Sequence, residues 1–159
     1  MLETPNLLYS ERMKNVLIPT DFSSQSRYSL EYILDFLQHS TVPAKILLVN
    51  TYIVEMNSDP SQLVTLNDEL KKKSKAQLEQ EVLWARSQCM NPLVSIEAAS
   101  HMGSLNNVIL NILRREKIDM VAIGKGNGSH FEQVSSLLKK QGCPILITHK
   151  SEFSQAIEA

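Results

Sequence analysis

Cysteine is scarce in this chain: Cys89 and Cys143 are the only two, and they follow neither a metal-ligand nor a disulfide spacing. With no export signal ahead of them, they read as reduced thiols in a cytoplasmic protein. Neither charge is in surplus. Sixteen basic and seventeen acidic residues leave a net charge of −1, so there is no basic footprint for nucleic acid and no acidic tail for a basic partner. No apolar run is long enough to cross a bilayer, so no membrane association is expected. His39, His101, His130 and His149 do not fall at a His-x-x-x-His spacing, and no metal site is expected. The sequence also lacks a G-x-S-x-G elbow, a Walker lysine and a G-x-G-x-x-G fingerprint. No pair of carboxylates offers split acid and base roles. An enzyme is therefore not expected.

What is present suits one soluble α/β domain. Apolar residues make up 43% of the 159 and charged residues 21%, enough for a core and for a solvated surface. Residues 1–12 read as a loose extension, without the cationic start and apolar core of a signal peptide. Met13 stands just before the first strand as an alternative start. Residues 13–150 form the domain and 151–159 a polar tail.

Within the domain, short apolar runs alternate with helical periodicity. Asn15–Pro19 reads as a strand. Ser23 or Ser24 then caps a helix carrying Leu30, Ile33, Leu34 and Leu37, which stops near His39. Lys45–Tyr52 is a continuous apolar strand, as expected where both faces are covered. Asp59-Pro60 marks a turn, and a long helix follows over Gln62–Cys89. Its buried stripe is Leu63, Leu66, Leu70, Leu78 and Val82, and Lys71-Lys72-Lys73 is a solvated face. Leu93–Ala98 alternates as a third strand, His101–Ser104 is a turn, and Ser104 caps a helix with Leu105, Val108, Ile109, Ile112 and Leu113. Met120–Ile123 is a fourth strand. A last helix carrying Phe131, Val134, Leu137 and Leu138 ends at Gly142, and Pro144–Thr148 is a fifth strand. The order β-α-β-α-β-α-β-α-β predicts an α/β fold: an open parallel sheet with helices on both faces.

Glycine is scarce too, and three of the five stand together in Gly124-Lys125-Gly126-Asn127-Gly128-Ser129. This turn joins the fourth strand to the last helix. A strand, a glycine turn and a helix place free backbone N–H groups at the carboxyl end of a parallel sheet, where an anion such as phosphate is held. The reading favoured for this turn is a tight strand-to-helix connection that needs positive φ, with a residual anion site as the second. If the first and fourth strands are neighbours, Asp21 and this turn line one crevice.

Val16-Leu-Ile-Pro-Thr-Asp-Phe-Ser23, Leu47-Leu-Val-Asn-Thr51, Asp119-Met-Val-Ala-Ile-Gly124 and Cys143-Pro-Ile-Leu-Ile147 together resemble the universal stress protein family, in order and spacing, from Met13 to about Lys150. The resemblance implies a Rossmann-like fold of the adenine nucleotide alpha hydrolase-like type, with five parallel strands in the order 3-2-1-4-5, and a homodimer. One branch of the family binds ATP through an Asp after the first strand and a pattern of G-x-x-G, nine residues, then G-S or G-T, at the fourth. Asp21 and Gly124 match. Asn127 stands where the second glycine belongs, and the G-S/T pair has no counterpart. With Cys143-Pro144 set against the family's closing Cys-Pro, the loop is about six residues short by eye.

The candidate nucleotide or anion site is thus Thr20, Asp21, Thr51, Gly124, Lys125, Gly126, Asn127, Gly128 and Ser129. Asp21 has two readings, a partner for the ribose or adenine side of a nucleotide or a turn residue bonded to nearby N–H groups. Thr51 would face the adenine or is an ordinary strand end. Ser129-His-Phe-Glu132 is a capping box, which consumes donors that a phosphate needs and sets a carboxylate nearby. Each charge-assisted hydrogen bond lost this way removes roughly 1.5–3 kcal/mol. Lys125 offsets part of this. The expectation is a non-catalytic regulatory or protective protein of the stress response with no cofactor, not binding ATP in the family manner. Its partners would be a second copy, joined through the Pro144–Thr148 edge strand, and an unidentified protein. The alternative is an ATP-binding switch with slow or no hydrolysis.

Overall fold

The computed structural model describes residues 15–54, 59–126 and 129–149. Among these, strands and helices alternate as β1 (Asn15–Pro19), α1 (Ser24–Leu37), β2 (Ala44–Tyr52), α2 (Pro60–Gln88), β3 (Val94–Met102), α3 (Leu105–Arg115), β4 (Met120–Gly124), α4 (Ser129–Lys140) and β5 (Ile145–Thr148). All pairings are parallel, and the sheet order is β3-β2-β1-β4-β5. The fold is the open Rossmann-like α/β sheet expected. Residues 1–14, with Met13, and residues 150–159 lie outside the described part.

Two cores sandwich the sheet. On one face α1 and α2 bury Leu30, Ile33, Leu37, Leu78 and Val82 against Val16, Ile18, Ile46 and Leu48. On the other, α3 and α4 bury Ile109, Ile112, Val134 and Leu138 against Leu17, Val49 and Val121. Alternate residues of β1 and β2 therefore enter opposite cores, which is why both strands read as unbroken apolar runs. Each buried aliphatic side chain contributes on the order of 1.5–3 kcal/mol.

The helix starts follow capping chemistry. Ser23 accepts from the Ser26 N–H and Ser104 from the Asn107 N–H. Gly142, at φ +67°, closes α4 with its own N–H bonded to the Lys139 carbonyl and the Cys143 N–H to the Leu138 carbonyl, a Schellman pair.

Four expectations are corrected. Asp59-Pro60 is the start of α2 rather than a preceding turn: Asp59 caps the helix by accepting from the Ser61 N–H, and Pro60 takes a first-turn position where no N–H is needed. Leu63, Leu66 and Leu70 are only half-buried, and Ser74 and Ala85 complete the buried stripe with Leu78 and Val82. The third strand does not stop at Ala98, and His101 and Met102 belong to it, because β3 pairs with β2 over nine positions out to Tyr52↔Met102. The fifth strand begins at Ile145. Pro144 precedes it and offers its carbonyl to the Val121 N–H.

Candidate functional site

Strand β1 lies between β2 and β4, so the strand order reverses there and the ends of β1 and β4 share one crevice. Thr20 and Asp21 leave β1 into a closed turn. The Thr20 hydroxyl accepts from the Phe22 N–H at 3.0 Å, and Phe22 adopts φ +65°, an uncommon value for an aromatic residue. The carboxylate oxygen Oδ1 of Asp21 accepts from the Ser23 N–H at 2.9 Å and from the Ser26 hydroxyl at 2.7 Å. Burial alone would push the Asp21 carboxyl up; the hydrogen bonds from Ser23 and Ser26 outweigh it and hold the group below its ordinary value. Asp21 remains exposed.

Gly124 ends β4 and lies against the first turn of α1. A Cβ placed there would stand 2.8 Å from the Gln25 carbonyl oxygen. The Lys125 N–H donates to the Thr148 carbonyl of β5 at 2.8 Å. Lys125 and Gly126 are exposed. Gly126 has the Gln25 side chain as its nearest neighbour at 3.8 Å, which is ordinary contact. Asn127 and Gly128 lie outside the described residues. Ser129 opens α4, but its side chain is outside the described part, and so is the capping box it would form with Glu132. The fold thus brings Thr20, Asp21, Gly124, Lys125 and Gly126 to one end of the sheet. Thr51 pairs with His101 one strand further away, on β2.

Sequence reasoning missed a polar chain beneath this crevice. The Asn50 amide donates to the Thr20 carbonyl at 2.8 Å. The Ser74 hydroxyl of α2 donates to Asn50 Oδ1 at 2.6 Å, and the Ser100 hydroxyl of β3 donates to Ser74 Oγ at 2.6 Å. It ties the start of the Asp21 turn to α2 and β3. The signal was a serine on the buried stripe of a helix, four residues before Leu78, and an asparagine inside the apolar run of β2.

Chemically, the crevice offers one carboxylate whose inner oxygen is taken, an exposed lysine and a glycine turn whose first amide is spent on β5. It can accept a hydrogen bond at Asp21 and attract an anion through Lys125. Two concavities, of about 390 and 400 Å³, lie elsewhere. One is at the amino ends of the strands beside Asn15, Lys45 and Ser95, the other between α3 and α4 beside Asn106 and Lys140. Among the described residues no group of three or more His, Cys, Asp or Glu is placed to hold a metal ion, and no helix is long and apolar enough to cross a membrane. Cys143 is half-buried, and its thiol is pushed up first by burial and then by the Asp119 charge, the opposite of what activates a cysteine.

The five parallel strands and the reversal of strand order at β1 define a Rossmann-like α/β protein. The sequence profile of the universal stress protein family matches residues 13–149, and the chain belongs to that family. Solved structures agree on the fold. The universal stress protein UspA from Lactobacillus plantarum aligns with a TM-score of 0.64 at 17% identity, over 86% of this chain and 97% of its own. A universal stress protein in complex with cAMP aligns with a TM-score of 0.61 at 17% identity, over 87% and 98%. A universal stress protein family protein from Arabidopsis thaliana with AMP bound aligns with a TM-score of 0.60 at 19% identity, over 88% and 94%. No curated protein sequence matches the chain. Identities this low establish a shared fold and nothing finer.

Proposed function

We propose that this universal stress protein is a non-catalytic, dimeric regulatory or protective protein of the cytoplasmic stress response that does not bind ATP in the family manner and acts through a protein partner. One observation carries the reading of the site: the groups a nucleotide would need are already engaged within the chain. Asp21 Oδ1 holds Ser23 and Ser26, and the Lys125 N–H holds Thr148. Recruiting either for a ligand exchanges one hydrogen bond for another and gains little net free energy. The shortened loop, without its G-S/T end, points the same way. The dimer is supported by the place of β5 at the edge of the sheet and by the lack of any charged residue within it.

The second reading, a nucleotide-binding switch with slow or no hydrolysis, is favoured by two facts. Relatives of this fold have been solved with cAMP and with AMP. Asp21 and Gly124 do share the crevice at the strand-order reversal.

The absorbance spectrum and acid extract of the protein as purified separate the two readings. The first predicts no adenine chromophore released on denaturation. Stoichiometric adenine nucleotide that disappears in Asp21→Ala would establish the second.

A further inference from the structure

Strand β3 lies at an edge of the sheet, and its two halves differ. The Ala44 N–H donates to the Leu93 carbonyl and the Gly103 N–H to the Tyr52 carbonyl, so the odd-numbered residues of this segment bond to β2. By alternation the peptide groups of Ile96, Ala98, Ser100 and Met102 face outward. In the first half, Arg86 of α2 donates to the outward Ile96 carbonyl at 3.1 Å, and Glu97 is paired with Lys45 at 3.4 Å. A guanidinium on an edge carbonyl and charges along the strand block further pairing there. The second half, Ala98 to Met102, holds no Lys, Arg, Asp, Glu or Pro. Among the described residues nothing bonds the outward N–H and carbonyl groups of Ala98, Ser100 and Met102. Ala98 is exposed, and Met102 is 61% exposed.

The stretch of α2 beside this open half is basic. Ser74 accepts from the Ser100 hydroxyl at 2.6 Å, which sets the level of the helix on the strand. Leu70 to Leu78 covers about 12 Å of helix, against roughly 13 Å of strand for Ala98 to Met102. Between those two leucines stand Lys71, Lys72, Lys73 and Lys75, all exposed, and no carboxylate. Asp68 and Glu79 lie beyond the two ends. Arg86 marks the flank of α2 that reaches the edge. Lys75 precedes it by about three turns and Lys72 by about four, on the same flank.

We propose that the open half of β3, Ala98 to Met102, is a docking edge that takes an extended acidic segment of a partner protein as a sixth strand. The inference rests on the reading of a protein partner above and supplies that partner's chemistry. The outward groups of Ala98, Ser100 and Met102 give main-chain hydrogen bonds, which bind without reading sequence. Side chains of an added strand alternate between the two faces of the sheet, so every second one stands on the α2 side, with Met102 and on the flank of Lys72 and Lys75. Those lysines hold no ion pair among the described residues, and carboxylates at these positions complement them. The Arg86 cap and Glu97 stop the pairing short of the first half and limit how far the segment runs. A second copy does not suit this edge. A two-fold axis at Ser100 would set the lysines of one copy against those of the other. So short a strand buries less than about 1,200 Å², the range of a transient contact.

The test is fluorescence anisotropy of a short labelled peptide of alternating valine and glutamate, titrated with the full chain, with an alternating valine and lysine peptide beside it. The glutamate peptide is expected to bind saturably, less tightly as salt rises, and at least about tenfold tighter than the lysine peptide. Ala98→Pro removes an outward N–H and no bond to β2, and should weaken binding at least about tenfold. Lys72→Glu/Lys75→Glu should do the same, whereas Lys139→Glu/Lys140→Glu on α4 should leave binding unchanged. Circular dichroism confirms folding. If Ala98→Pro unfolds, the unaltered chain is titrated with two glutamate peptides N-methylated on alternate residues, one in each phase; one should lose binding and the other keep it. Undiminished binding in Ala98→Pro, equal binding of the two methylated peptides, or equal losses in the two lysine variants overturns the proposal. Absence of binding to the glutamate peptide overturns it as well and leaves the reading of the crevice to its own adenine test. Dimerisation that Ala98→Pro abolishes names a second copy as the occupant, and binding that appears only after removal of residues 150–159 names the chain's own tail; either overturns the proposal.

Discussion

Gly124 and Gln25 are in backbone contact: a Cβ on the glycine would stand 2.8 Å from the Gln25 carbonyl oxygen and 3.0 Å from its carbon. The first glycine of the turn is thereby explained by the close approach of α1 to the end of β4, with no ligand needed.

Gly124→Ala must move a helix backbone and is expected to destabilise the fold by about 1–3 kcal/mol. Gly126→Ala meets nothing closer than 3.8 Å and should change stability by less than about 0.5 kcal/mol. Urea unfolding of the two variants side by side checks the contrast. Equal losses would contradict it.

Asn50 joins the Asp21 turn to α2. Asn50→Ala leaves the Thr20 carbonyl without its donor and the Ser74 hydroxyl without its acceptor, at a cost of about 1–3 kcal/mol. Because both residues serve one chain, the Asn50→Ala/Ser74→Ala pair should lose less than the sum of the single losses. Additive losses in denaturant melts would show that the two act separately.

Arg27 pairs with Glu81 and stacks on Trp84, and the Glu81 hydrogen bond raises its pKa while partial burial opposes that rise. The guanidinium is partly solvated, so Arg27→Ala should cost only about 1 kcal/mol, most of it from the stacked contact. A double-mutant cycle with Trp84→Leu isolates that share, and zero coupling would refute it.

The Asp21 carboxyl titrates below its ordinary value in the folded chain. A lowered folded pKa contributes stability above the unfolded value, about 4, and loses it as pH falls through the folded pKa. The stability difference between wild type and Asp21→Asn should therefore be constant above about pH 5 and shift against the wild type below about pH 4. A difference independent of pH between 2 and 6 (a range of about four units around the carboxylate midpoint) would remove the hydrogen-bonded turn from the account.

The element order and the placing of Asp21 and Gly124 at the same end of adjoining strands were legible because they depend on periodicity and on which strands adjoin. Where sequence reasoning stopped short, the deciding contacts were distant. Ala98-Ala99-Ser100 has little strand propensity of its own, yet β3 continues because β2 offers nine positions to pair with. Asp59-Pro60 has the composition of a turn and also that of a helix start, and only the helix that follows distinguishes them. Leu63, Leu66 and Leu70 keep the period of a buried stripe, but they are only half-buried. The Asn50–Ser74 and Gly124–Gln25 contacts join residues 24 and 99 positions apart, which no local pattern encodes.

The most direct test of the central claim is isothermal titration of the purified protein with Mg-ATP, AMP and cAMP to millimolar concentration, paired with thermal unfolding in the same solutions. A ligand at about 100 times its dissociation constant adds roughly 2.7 kcal/mol of stability, a visible shift. The account predicts no heat of binding and no shift for any of the three. Saturable binding that raises the melting temperature, and that is lost in Asp21→Ala, would contradict it and make this family member a nucleotide-responsive switch.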